Sequence, residues 1–182
     1  YEFADGDWSS DVCSSDLGEI PTPEGLRAFP EPRALEEDEI VGLVARFRDA
    51  ADRARRAGFD GVELHAANGY LVDQFLRDGT NRRGDRWGGE VEDRARFLEE
   101  VTGALLDVWS PDRVGVRLSP LNPFNDMEDS APERTFPHAA GRLGDLGIAY
   151  LHVVEPGEDA PAGEEDEHPV VTRMREAFGG TV

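Results

Sequence analysis

The sequence predicts part of a (β/α)8 TIM barrel, roughly its middle three to four βα units. Three observations predict it. Apolar-periodic stretches alternate with short apolar runs in the order helix, strand, helix, strand, helix, strand, helix, a pattern that builds a parallel sheet with right-handed crossovers. No G-x-G-x-x-G follows any of the strand runs, which disfavours a dinucleotide-binding Rossmann domain. The 182 residues hold too few strands for a closed barrel, which takes about 250 residues. The chain is therefore expected to be a fragment, with barrel units lacking at both ends.

Residues 1–17 are set apart. Asp7 to Leu17 reads DWSSDVCSSDL, with no periodicity and no turn logic, and resembles one reading frame of a sequencing-library adapter. It is treated as non-native and excluded from fold reasoning, so Trp8 and Cys13 are given no function. Gly18 to Arg33 carries Pro21, Pro23, Gly25, Pro30 and Pro32 and is expected to be an irregular connector, because proline opposes regular structure.

Leu35 to Ala57 follows as a helix, with Ile40, Leu43, Val44, Phe47, Ala51 and Ala54 on one stripe. Glu36, Glu37 and Asp38 open it and Arg53, Arg55 and Arg56 close it, matching the helix dipole. Gly58 stops it. Gly61–Leu64 is a strand, Leu71–Arg77 a helix, and Asp78–Gly89 a polar loop. Val91–Trp109 reads as one long helix, Val114–Leu118 as a strand, Glu133–Leu146 as a helix and Ile148–Val154 as a strand. An acidic loop, Glu155–Glu167, leads to a helix at Val170–Phe178, and another strand begins near the end of the chain.

Composition excludes several function classes. The net charge of -20 repels nucleic acid and anionic membranes. All 19 basic residues are arginine, so the chain has no lysine for a Schiff base or for pyridoxal phosphate. One cysteine makes no intrachain disulfide, Cys-x-x-Cys zinc site or iron–sulfur cluster. No run approaches the ~18 apolar residues of a membrane span and no secretory signal is visible, so a cytoplasmic location is expected.

The chemistry concentrates after the first strand of the repeat. His65 and Asn68 stand three residues apart at its C-terminal end, where α/β proteins place their sites. An imidazole N–H and an amide N–H make a two-donor cradle for one oxygen, able to stabilise charge developing on a carbonyl. Tyr70 adds a phenol, a proton donor. Each has an ordinary structural explanation as well: a structural histidine, an Asn-Gly turn, and a core tyrosine with its hydroxyl satisfied. Arg117, inside the apolar run VGVRL, is costly there unless paired or facing a ligand; a buried salt bridge to Glu63 or Glu155 is the plain alternative. Arg83, Asp85, Glu92 and Arg94 are expected to brace the loop after Asp78 as an ion-pair network.

The run HAANGYLVDQFLRDGTNRRGDRWGGEVEDRARF, from His65 to Phe97, resembles the old yellow enzyme family of FMN-dependent ene-reductases. So do VGVRLSP at Val114–Pro120, FNDM at Phe124–Met127, YLHVVEP at Tyr150–Pro156 and PRALEEDEI at Pro32–Ile40. The motifs occur in the family's order and cover nearly everything from Gly18 to Val182. The resemblance implies an FMN-dependent oxidoreductase domain over residues 18–182, with NAD(P)H as reductant and a small activated alkene as substrate. It implies that His65 and Asn68 bind the carbonyl or nitro oxygen and that Tyr70 protonates the α-carbon. Arg117 would contact the flavin near N1 and O2, and Phe124 would line the substrate pocket. Glu90 and Asp93 stand where the family usually has Ser and Asn. The family's FMN phosphate site falls beyond Val182, so the chain alone is expected to bind FMN weakly or not at all. The alternatives are a metal-dependent TIM-barrel hydrolase or isomerase, with His65, Glu63, His152 and Glu155 as ligands, and a truncated product with no activity.

Overall fold

Three parallel strands carry the molecule. The structure is a computed structural model that describes residues 19–28, 33–122, 125, 127–155 and 168–182; residues 1–17, including the adapter-like stretch, lie outside it. The strands are β3 (Val62–His65), β4 (Val114–Leu118) and β5 (Tyr150–Val153), hydrogen-bonded in the order β3-β4-β5. Each is followed by helix, as βα units require. They are numbered from β3 because the connector expected between Gly18 and Arg33 contains a hairpin, β1 (Glu19–Thr22) and β2 (Gly25–Ala28). That corrects the reading from proline content. A two-stranded ribbon is all edge, so a proline at an outward position forfeits no ladder bond. The turn is closed by the Thr22 hydroxyl, which donates to Gly25 O at 2.7 Å, with Gly25 at φ 113°.

Helix α1 (Glu37–Arg56) buries Ile40, Leu43 and Ala51, and the other stripe residues Val44, Phe47 and Ala54 are partly covered. Its start is fixed by Glu39, which accepts from the Glu36 N–H at 2.8 Å and from both guanidinium NH2 groups of Arg33 at 2.6 and 2.7 Å. These bonds hold the Glu39 carboxyl down at about 2. Helix α2 (Leu71–Leu76) buries Val72, Phe75 and Leu76. The helix expected over Val91–Trp109 is two helices, α3 (Val91–Arg94) and α4 (Arg96–Leu106), joined at Ala95. Helix α1 packs on α4, and the Trp109 indole N–H donates to Ala51 O at 3.1 Å. Helices α5 (Pro132–Asp145) and α6 (Pro169–Phe178) pack on each other. Phe97 gathers the rings of Phe47, Phe75 and Trp87 at centroid distances of 6.4, 4.4 and 6.4 Å; such pairs add about 0.5–1.5 kcal/mol each beyond their buried area.

Strand register settles which side chains share a face. Leu64, Val116 and Leu151 are paired neighbours and all are buried under the helices. One residue along, His65, Arg117 and His152 are paired neighbours, and one residue back Glu63, Gly115 and Tyr150. Strand side chains alternate between faces, so these two rows lie on the opposite face, which the helices leave uncovered. The expected further strand is foreshadowed by a parallel bridge between Tyr150 and Thr181, with Leu151 N–H donating to Thr181 O at 2.9 Å.

Among the described residues, no helix is long and apolar enough to cross a membrane. The expected ion-pair network is met in part. Arg83 and Asp85 pair at 2.6 Å. Arg94 turns inward, donating to Leu76 O at 2.8 Å, Gly89 O at 2.6 Å and the Thr135 hydroxyl at 3.1 Å and pairing with Asp129 at 3.9 Å, while Glu92 is exposed.

Candidate active site

His65 is the last residue of β3, one position further into the strand than expected. The chain stays paired with β4 for one more residue, with Ala66 N–H donating to Arg117 O at 3.0 Å, and turns at Asn68 and Gly69, both at positive φ, 58° and 75°. Asparagine is among the few residues that tolerate this conformation. The turn returns Tyr70 toward His65, and their rings meet edge to face with centroids 5.1 Å apart. His65 and Tyr70 are exposed and Asn68 is half-buried.

The segment after β4 grips the Asn68 turn. The Asn68 N–H donates to the Ser119 hydroxyl at 2.8 Å, the Asn125 amide donates to Asn68 O at 2.9 Å, and the Asn122 amide donates to Asn68 Oδ1 at 3.0 Å. Beneath lies a buried ion pair, Asp73 with Arg77, at 2.9 Å. Asp73 also accepts from Gly69 N–H at 2.9 Å and from the Ser119 hydroxyl at 3.4 Å, and Arg77 bonds to the Ser119 carbonyl. Burial pushes the Asp73 carboxyl up, and Arg77 pulls against it; the convergence of four N–H and O–H donors suits the carboxylate form. Ser119, Asn122, Asn125 and Asp73 were not among the sequence-predicted residues. Asp73 had a legible signal: a carboxylate inside the apolar run LVDQFL, four residues before an arginine.

Of the predicted residues, His65 and Tyr70 are thus in contact at one strand end, Asn68 lies on the turn between them, and Arg117 stands beside His65 in the sheet. Partial burial first, and then the positive charge of Arg117, lower the pKa of His65, which favours a neutral ring with one N–H to donate. The salt bridge considered for Arg117 is absent: among the described residues Arg117 makes no ion pair, and its Nε is buried without a partner. Glu63 instead accepts from the Tyr150 hydroxyl at 2.9 Å and lies 3.3 Å from His152 Nδ1. A buried guanidinium N–H with no partner among the described residues, beside a histidine whose pKa is lowered, is compatible with an acceptor-rich ring edge such as a flavin's.

Phe124 lies outside the described residues. The metal-ligand alternative loses its geometry: Glu63 and His152 do meet, but no group of three or more ligating side chains gathers among the described residues. An open pocket of about 500 Å³ is lined in part by Arg77, Asp78, Pro120, Leu121, Met127 and Asp129. None of His65, Asn68, Tyr70 and Arg117 lines it; they stand at an open sheet face, and three strands make no opposite wall.

Comparison with known proteins places the chain in a family. The model of the NADH:flavin oxidoreductase / NADH oxidase family matches residues 2–174. A putative 12-oxophytodienoate reductase 10 of Oryza sativa is 44% identical over 158 residues, covering 84% of this chain and 50% of the relative. The 12-oxophytodienoate reductase 2 of Arabidopsis thaliana is 43% identical over 158 residues, with 84% and 41% covered. Among solved structures, morphinone reductase superposes with a TM-score of 0.82 at 42% identity, covering 94% of this chain and 47% of that one. The old yellow enzyme homologue from Zymomonas mobilis gives 0.85 at 40% identity, with 94% and 48% covered. The chain spans about half the length of the relatives it matches. The expected cofactors, FMN with NAD(P)H as reductant, are those of this family. Motif order, the parallel βα units and these likenesses converge: the chain belongs to the NADH:flavin oxidoreductase / NADH oxidase family, the old yellow enzymes.

Proposed function

We propose that the protein carrying this chain is an FMN-dependent ene-reductase that reduces the C=C bond of α,β-unsaturated carbonyl or nitro compounds. The observation that carries the reading is the edge-to-face contact of His65 and Tyr70 at the end of β3, with Asn68 on the turn between them and the histidine's pKa lowered. The His65 ring N–H and the Asn68 amide bind the substrate oxygen and stabilise the negative charge that builds there. The Tyr70 hydroxyl gives its proton to the α-carbon. Arg117 holds the pyrimidine edge of the flavin, where its charge favours the reduced anion. When bound, FMN supplies the hydride for the β-carbon and is replenished by NAD(P)H. Phe124, from the segment after β4, is assigned to the pocket wall.

The same reading takes the chain as the middle three to four units of a (β/α)8 barrel and the protein as cytoplasmic. On this reading the 182 residues alone are expected to bind FMN weakly or not at all. The test is the double variant His65→Ala/Asn68→Ala in the complete protein. Loss of both donors lowers enone turnover by about 10²- to 10³-fold, as for other oxyanion donors, and weakens phenol binding, while NAD(P)H still reduces the flavin. Unchanged turnover would remove the assigned roles.

A further inference from the structure

Asn68 is accounted for atom by atom. Its backbone N–H goes to Ser119, its carbonyl receives Asn125, and its side-chain Oδ1 receives Asn122. What remains is the side-chain NH2, which has no partner among the described residues. A primary amide has an acceptor end and a donor end of nearly equal size, so its direction is set by its neighbours. At Asn68 that neighbour is Asn122, 54 residues away in sequence and just past β4.

We infer that Asn122 is a positioning residue that fixes the polarity of the Asn68 amide: by donating to Oδ1 it leaves the NH2 end for the ligand. The inference rests on the reading that Asn68 donates to a substrate oxygen. Reversed, the amide presents Oδ1 to that oxygen, and attraction becomes lone-pair repulsion. Ser119 and Asn125 hold the backbone of Asn68, which leaves its amide torsion undecided; Asn122 decides it. The device needs an N–H donor at residue 122 and not bulk alone.

The test uses the complete flavin-loaded protein, with the dissociation constant of a phenol as the readout at several pH values, each expressed as a ratio to the unmodified protein. An ionised Asn122→Asp only accepts, so it recruits the Asn68 NH2 and reverses the amide. Binding is expected to weaken by about 10-fold or more, the equivalent of one hydrogen bond. As pH falls and the new carboxyl protonates, it donates again and the ratio recovers. Asn122→Ala lets the amide sample both directions, costing about 2-fold or slightly more at every pH. In an Asn68→Ala background neither substitution has a further effect. A uniform loss without recovery at low pH, or a loss that persists in the Asn68→Ala background, overturns the proposal. If Asn122→Asp does not fold, Asn122→Ala and its double variant with Asn68→Ala carry the same decision. The underlying reading fails separately: Asn68→Ala with undiminished phenol affinity removes Asn68 from the site, whereas a weakened Asn68→Ala beside unaffected Asn122 variants removes only the role of Asn122.

Discussion

Replacing Asp73 by alanine tests the support beneath the site. The Asp73 side chain is 0% exposed and that of Arg77 3%. The substitution takes the carboxylate from Arg77 Nε at 2.9 Å and Nη2 at 3.4 Å, from Gly69 N–H at 2.9 Å and from the Ser119 hydroxyl at 3.4 Å. Of the partners described for the guanidinium, the Ser119 carbonyl and the face of Phe136, 5.1 Å away, remain. Breaking a buried ion pair on one side costs about 3–5 kcal/mol. The stranded Gly69 N–H would cost about 1–3 kcal/mol alone, but the two losses overlap and do not add. About 4 kcal/mol is expected, against a total stability of about 5–15 kcal/mol. Urea unfolding followed by circular dichroism measures it. The double variant Asp73→Leu/Arg77→Met should recover most of the loss, because apolar residues of similar volume replace a buried pair at little cost. A single-variant loss below about 1 kcal/mol, or a double variant no more stable than Asp73→Ala, would refute the reasoning.

Two further outcomes are expected. A Cβ at residue 115 would overlap Tyr150 Cζ and stand 2.6 Å from its hydroxyl, so Gly115→Ala must displace the ring and break its bond to Glu63. Partial burial, then Glu63, raise the Tyr150 pKa; in the variant the tyrosinate absorbance should move back toward ordinary pH, and an unmoved titration counts against the contact. Glu39, held at about 2 against 4.5, binds fewer protons folded than unfolded near pH 3. Its contribution is therefore complete above pH 4.5 and fades as pH falls toward 2. Glu39→Gln should lower the urea midpoint at pH 6 by a small, salt-screened amount and match the parent chain near pH 2; a constant gap across that range excludes the mechanism.

The alternation of strand and helix was legible because apolar period changes between them: VGVRL matches β4 residue for residue, and the stripe of α1 is buried or half-covered as read. The hairpin was not, because its prolines argue against regular structure until the strand is known to be an edge. Nor was the break at Ala95, since α3 and α4 keep one apolar rhythm across it. At the site, His65, Asn68 and Tyr70 could be read from one local motif. Their clamp could not: Asn122, Asn125 and Ser119 reach Asn68 across 54, 57 and 51 positions, and no local pattern records the register that joins β3 to β4.

The contact between Tyr150 and Glu63 has a further consequence. Their row lies two residues before that of His65 and Arg117, about 7 Å lower along the strands. With no side chain at Gly115, the phenol ring reclines across the middle strand to the carboxylate and makes a floor. The position of that ring across the sheet is thus set by a hydrogen atom at residue 115.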